Sequence, residues 1–538
     1  MDKLDKIIEV MSIDELCGQV LCYDMSTRRW SDDEFDTIAK ETLPGGIFVY
    51  NATGDEIKKY SDAINKNTKV PVIVASDVES GPGGPLKDET VLPQPMAWGA
   101  CDDSRLIEEA GQATAEICRS KGIHWTFAPL VDINYNPNNP SVNVRAVSDS
   151  PNQVVKIAGA YMRGIQHNCC MAATAKHFPG DGMDDRNQHF CTVINSKSKE
   201  DWMETYGYVY REMFRQGLMS VMVAHIALPA YQENEYDEFL GYKPATLSYN
   251  LITKLLKEKL EFKGCVVSDA MSMVGACSMV DPDKLAVEFL KAGGDMVLFA
   301  LPRDFYQLRN AVLNGELSVE RLKDAVKRVL KLKDGVRLFN DKEGTADLET
   351  ASLSIADIAD KISEKSINVV RNASGVFPLK IAENGKILSV TLQKNTKSAN
   401  AYSMDTMHKE LEKRGYSVTE LINPGHTKVE EELEKNYDAV LINCRMSSRD
   451  YCGGSLRIDW EHIAAFWRGR ILKHPNLIFA SFGDPYKLYD FPFIKTYVNT
   501  FSASPTTQKA YVKVLLGELP AVGKSPVELK GLIKREVK

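Results

Sequence analysis

Short, uninterrupted apolar runs recur through the first 335 residues, each followed by a longer stretch with charged and apolar positions at helical spacing. The runs cover 19–22 (QVLC), 46–50 (GIFVY), 71–75 (PVIVA), 125–131 (WTFAPLV), 171–176, 220–225, 265–269 and 296–300. Continuous rather than alternating hydrophobicity marks strands covered on both faces, and segments such as 103–121 and 251–260 fit the crossover helices between them. Eight such units predict an α/β chain that begins with a (β/α)8 TIM-like barrel. A doubly wound open sheet is the alternative that periodicity alone leaves standing.

After Arg337 the rhythm pauses in a polar stretch, NDKEGTADLET (340–350), which reads as a linker into a helix over 354–371. Strand-like runs at 386–392, 439–443 and 476–481 then alternate with helical segments such as 405–414 and 459–474. The expected division is a barrel over 1–340, a linker and connecting helix over 341–370, and a smaller α/β sandwich domain over 371–538.

Composition narrows the class. The 538 residues are 44% hydrophobic and 26% charged with a formal net charge of -7, which offers no basic surface for nucleic acid or an anionic membrane. Acidic residues interrupt every apolar stretch of the first twenty positions, so neither a secretory leader nor a membrane span is expected there, and a cytoplasmic location is. Eleven cysteines, an odd number without paired CxxC spacing, fit a reducing compartment. Cys169 and Cys170 fall where a buried strand is expected, and adjacent cysteines do not readily bridge each other.

In a barrel of parallel strands, the side chains at the C-terminal strand ends face the mouth where chemistry is done. By that rule Asp77, Asp132, Lys176 with His177, His225 and Asp269 stand at five neighbouring strand ends. Any one of them reads as a helix cap or a satisfied loop residue, but a ring of carboxylates with Lys and His does not. Nine histidines without HxH or HExxH spacing give no expectation of a metal, and 81–84 (GPGG) does not match GxGxxG, so no cofactor is expected.

Lys176-His177-Phe178-Pro179-Gly180-Asp181-Gly182 resembles the KHFPGHG motif of glycoside hydrolase family 3. The segment 127–151 resembles that family's strand four with its downstream arginine, and 266–273 (VVSDAMSM) resembles the segment bearing its nucleophile. The segments 481–492 and 522–529 are similar to the end of the family's second domain. The resemblance spans nearly the whole chain and is strongest to bacterial two-domain β-N-acetylglucosaminidases.

The resemblance implies a retaining, exo-acting β-glycosidase working through a covalent glycosyl-enzyme intermediate. It makes Asp269 the nucleophile and places Asp77, Arg145, Lys176 and His177 on the hydroxyls of the terminal sugar. Asp132 and His225 join these as expected substrate contacts. Met273, with Met271 and the aromatic residues near Trp125 and Phe127, is expected to floor a pocket for an acetamido methyl. The proton donor it implies is a histidine on the loop after strand five, oriented by an aspartate two residues earlier.

Here those positions are His189 and Asn187. Either Asp184 or Asp185 partners the histidine instead, or Asn187 weakens the pair, or His189 is an ordinary loop residue and the acid comes from elsewhere, with Glu434 and Glu461 as candidates. Asp181, where the N-acetylglucosaminidases carry histidine, makes the loop partly like that of the family's β-glucosidases. Terminal β-linked N-acetylglucosamine is the expected substrate. The alternatives are transfer to phosphate by a β-N-acetylglucosaminide phosphorylase, a β-glucosidase, and, from another class, a catalytically weakened sugar-binding homologue. The partner is a small carbohydrate, not nucleic acid or membrane, and a homo-oligomer is left open.

Overall fold

The computed structural model describes residues 2–339, 353–394, 402–448 and 455–532. The expected linker over 340–350 and Cys452 lie outside the described residues. The chain forms two compact units, the first from 1–90, 107–133 and 154–354, the second from 91–106, 134–153 and 355–538. No single cut near residue 340 separates them. Helix Pro95–Cys101 packs on helix Ile355–Ser366, and Met96, Ala97, Ala100 and Val144 enter the second unit's core beside Leu388 and Val390.

The first unit is a mixed α/β fold with parallel sheets. Its main strands are β1 (Leu21–Asp24), β2 (Gly46–Phe48), β3 (Ile73–Ser76), β4 (Trp125–Thr126), β5 (Thr174–Phe178), β6 (Ser220–Val223), β7 (Cys265–Ser268) and β8 (Val297–Ala300). They pair in parallel in the orders β8-β1-β2-β3-β4 and β7-β6-β5. Isolated parallel bridges, Trp125 with Ala172 and Val267 with Met296, stand between these two sheets. Cys22, Phe48, Ile73, Trp125, Phe127, Met222, Val267 and Met296 form one buried cluster, which explains why the strand runs carry no polar alternation.

Several helix starts follow from local sequence. Ser12, Ser31 and Thr53 each accept from the backbone of Glu15, Glu34 or Glu56 three residues on, and each of those carboxylates reaches back to the cap's own N–H. Each such box contributes about 1 kcal/mol.

Two expectations for this unit are corrected. Cys169 and Cys170 do not lie in a buried strand: His167–Cys169 is a 3-10 turn, Asn168 and Cys169 take positive φ of 50° and 58°, and Cys169 is exposed. A backbone turned into the left-handed region cannot continue a ladder. Strand four, expected to reach Asp132, is paired only over Trp125–Thr126. Pro129 has no N–H to donate, and pairing resumes as a single bridge from Leu130 to Lys176.

Lys333, on helix Val319–Gly335, is fully buried, with Nζ 2.8 Å from Gln19 Oε1. Burial pushes its ammonium down to about 7, against a weaker opposing pull from Cys22 and Cys265. The folded value lies below the unfolded one, so unfolding takes up a proton between about pH 7 and the ordinary lysine range, and stability rises with pH across that window. Lys333→Met is expected to abolish that slope in urea titrations run at stepped pH. The Gln19 amide it orphans costs about 1–3 kcal/mol at every pH, so the slope rather than the midpoint carries the test.

The second unit holds a six-stranded sheet of β9 (Asn368–Asn372), β10 (Lys386–Gln393), β11 (Ser417–Ile422), β12 (Ala439–Arg445), β13 (Leu477–Ser481) and β14 (Thr496–Asn499). The order is β9-β14-β13-β12-β10-β11, parallel throughout except β9 against β14. Leu388, Val440 and Phe479 pack into one core cluster and Ile387, Leu441 and Ile478 into another, so alternate residues of each strand serve opposite faces.

The helix expected over 354–371 stops at Ser366, because Asn368–Asn372 pairs with β14 as an edge strand. The helix expected over 459–474 is broken into Trp460–Ile463, Ala464–Gly469 and Ile471–Lys473, with Trp467 extended and Arg468 at φ 64°. Among the described residues no helix is long and apolar enough to cross a membrane.

Candidate active site

The C-terminal end of β5 carries Lys176 and His177, joined by a cis peptide bond. Lys176 is nearly buried and places Nζ 2.8 Å from Asp77 Oδ1 at the end of β3 and 2.7 Å from Glu79 Oε1. A buried ammonium is tolerable only with such partners. Glu79 is itself almost covered, whereas Asp77 keeps 38% of its side chain exposed.

Asp132 is completely buried. Its Oδ1 accepts from the backbone N–H of His177 at 3.1 Å and of Asp181 at 2.8 Å, and its Oδ2 accepts from His177 Nδ1 at 2.6 Å. With both oxygens engaged, Asp132 supports His177. His177 Nε2 faces Asp269 Oδ2 at 4.0 Å.

Asp269 follows the last residue of β7. Its backbone N–H donates to Val223 O at 2.8 Å, and its Oδ1 accepts from the N–H of Ala270 at 2.7 Å. Burial pushes the carboxyl up, but His177, His225, the Ala270 N–H and Lys176 together outweigh it and hold Asp269 below the usual carboxylate range. The group is therefore an anion at neutral pH, with 13% of its side chain exposed.

His225 stands at the end of the neighbouring strand β6. It is fully buried; its Nε2–H donates to Ala270 O at 3.0 Å and its Nδ1 accepts from Thr246 Oγ1 at 3.0 Å. Burial holds it below the usual histidine range, against the opposing pull of Asp269. It braces the peptide after Asp269.

The loop after β5 starts at Gly180, whose φ of 119° and closeness to the Tyr206 ring admit no side chain. Farther along, His189 Nδ1 donates to Asn187 Oδ1 at 2.6 Å, and the same oxygen accepts the His189 backbone N–H at 3.0 Å. Asp184 is turned elsewhere, accepting from Arg186 Nε at 2.9 Å and Ile194 N–H at 2.9 Å, and Asp185 is exposed. Asn187 thus occupies the orienting position. Asp181 is buried, with Oδ1 2.6 Å from the Gly182 N–H.

Met273 is 9% exposed in the turn that leads from Asp269 to helix Val274–Cys277. Arg145 belongs to the second unit, on the 3-10 turn Asn143–Arg145, where Nη1 donates to Ser141 O at 3.1 Å. Glu434 pairs with Arg470 at 2.5 Å, and Glu461 accepts from Asn423 Nδ2 at 3.3 Å, both within that unit. The structure therefore gathers Asp77, Lys176, His177, Asp132, His225 and Asp269 into linked contacts in the first unit. Two participants escaped sequence reasoning. Glu79, two positions after Asp77, is the second carboxylate needed beside a buried lysine, and Gln188 accepts the His225 backbone N–H at 3.1 Å.

The model of the Glycosyl hydrolase family 3 N terminal domain matches residues 9–332. Over 536 residues the chain is 30% identical to a beta-N-acetylglucosaminidase/beta-glucosidase of Cellulomonas fimi, covering 96% of this chain and 94% of that protein. Among solved structures, a beta-glucoside phosphorylase bound to 2FGlc matches with a TM-score of 0.89 at 28% identity, covering 98% of this chain and 97% of the other. A family 3 beta-N-acetylglucosaminidase from Paenibacillus sp. str. FPU-7 matches with a TM-score of 0.84 at 25% identity, covering 97% and 100%. Likeness on this scale, running through both compact units and including the strand ends that hold the carboxylates, places the chain in glycosyl hydrolase family 3.

Proposed function

We propose that the protein is a retaining, exo-acting β-glycosidase that removes terminal β-linked N-acetylglucosamine through a covalent glycosyl-enzyme intermediate. The observation that carries this reading is Asp269. It is an anion at a strand end, held by the Ala270 N–H and faced by His177 Nε2, and an anionic carboxylate is what attack on an anomeric carbon requires. Asp77, whose side chain is partly exposed, and Lys176 supply an acceptor and a donor for vicinal sugar hydroxyls. The roles given to Arg145 on hydroxyls and to Met273 against an acetamido methyl rest on the motifs alone.

His189 is the proton donor in this reading. With Nδ1 fixed on Asn187, Nε2 is the nitrogen that exchanges a proton with the leaving oxygen. The strands of the first unit are taken to close into a (β/α)8 barrel, supported by the two parallel bridges between its sheets, with an α/β sandwich after it. A cytoplasmic location fits the ten described cysteines, all free thiols. The partner is a small carbohydrate, and light scattering decides between monomer and homo-oligomer.

One observation favours a second reading, transfer of the sugar to phosphate. The orienting partner of His189 is a neutral amide, so the pair adds no carboxylate to repel an incoming anion, and a phosphorylase is among the similar structures. A panel of aryl β-glycosides differing only at the 2-position, assayed with and without phosphate, tests both. Preference for the 2-acetamido sugar with rates indifferent to phosphate supports the hydrolase. Phosphate-dependent release of sugar 1-phosphate supports the second reading, and no turnover of any member leaves only a sugar-binding homologue.

A further inference from the structure

In the second unit, Asp405 and His408 stand one turn apart on helix Asp405–Glu412, a spacing that puts both on one face, and Glu420 lies on β11. One ring nitrogen of His408 and one oxygen from each carboxylate all lie within 4.8 Å of one another, and Nδ1 is 3.8 Å from Glu420 Oε2. Ligand atoms about 2.0–2.2 Å from a tetrahedral ion sit roughly 3.4 Å apart, so small side-chain rotations bring the three to bonding distance.

The surrounding contacts already aim these atoms. His408 is 9% exposed and its Nε2 is hydrogen-bonded to Ser389 Oγ at 2.8 Å; that oxygen also accepts from Asn443 Nδ2 at 2.8 Å. Glu420 Oε1 accepts from Thr391 Oγ1 at 2.8 Å. The outer nitrogen of the imidazole and the outer oxygen of the glutamate are thus held by β10 and β12. His408 Nδ1 makes no hydrogen bond among the described residues, because 3.8 Å is too long for one. With its Nε2 hydrogen-bonded to Ser389, the imidazole has the far-side support that holds a ligating histidine in place.

We propose that Asp405, His408 and Glu420 bind a divalent first-row transition cation, with Zn2+ as the type case and water completing the coordination. One imidazole with two carboxylates suits such an ion better than Mg2+ or Ca2+, which prefer oxygen alone. The bound ion ties the helix to the strand that follows it, and its chemistry is stabilising, with no step in sugar transfer.

The test uses the full chain, stripped with EDTA and titrated with ZnCl2 by calorimetry, with thermal unfolding followed in parallel. One saturable Zn2+ per chain is expected, raising the unfolding midpoint. Asp405→Asn, at an exposed position, and His408→Gln should each remove both effects. Ser389→Ala should weaken binding about 10- to 100-fold. Absence of saturable binding in the wild type overturns the proposal, as does undiminished binding in Asp405→Asn. Should His408→Gln fail to fold, Asp405→Asn alone decides.

Discussion

Asp269→Ala is expected to lower kcat on an aryl β-glycoside by at least ~10^4-fold while leaving the fold intact, since removal of an attacking residue elsewhere has cost on the order of 10^6-fold. The carboxylate accepts one hydrogen bond, from Ala270, and keeps part of its side chain open, so its loss leaves no large cavity. It does carry some stability. Its folded pKa lies below the unfolded value, so that contribution is present at neutral pH and is lost as pH falls through the folded pKa. The variant should therefore unfold slightly earlier than wild type at pH 7 and converge with it in acid.

Two readouts separate chemistry from damage. Sugar binding by calorimetry should persist, because Asp77 and Lys176 remain paired. An added small nucleophile such as azide should restore turnover and yield the glycosyl azide of inverted configuration, formed by one displacement in place of two. Residual activity above about one hundredth of wild type would remove Asp269 from the role, because loss of an attacking group is never so mild.

The second large effect concerns His189. Its replacement by alanine should slow substrates with poor leaving groups by about 10^2- to 10^4-fold, and those with activated phenolates far less, because a stable anion departs without a proton. Equal losses on both classes would exclude His189 as the acid.

Asn187→Asp sharpens the test. A carboxylate against Nδ1–H favours the imidazolium, so the alkaline limb of kcat/KM, where the acid loses its proton, should move to higher pH. A phosphate-dependent rate, where present, should fall in the same variant as a charge returns beside the incoming anion. A profile that does not move would mean that Asn187 orients nothing of consequence to the reaction.

How legible the molecule was depended on the range of the interactions involved. The strands of the first unit could be read as continuous apolar runs, because burial on both faces leaves no room for alternation, and caps such as Ser31 with Glu34 are settled within four residues. The strand-end position of Asp269, Lys176 and Asp77 was equally readable, since a polar group closing such a run has little choice but the end of the sheet.

The tertiary structure decided which way those groups turn and what they meet. Asp132 and His225 had the same local signature as Asp269, yet both are buried behind the residues they brace, because their partners come from other strands and loops. Glu79 is needed because Lys176 is buried beside it, and Lys333 is buried because its helix packs on Gln19. The entry of 91–106 and 134–153 into the second unit, and the meeting of His408 with Glu420, likewise depend on contacts distant in the chain. Sequence spacing determined period and face for this protein, whereas the pairing of its buried charges arose only when the folded chain brought the partners together.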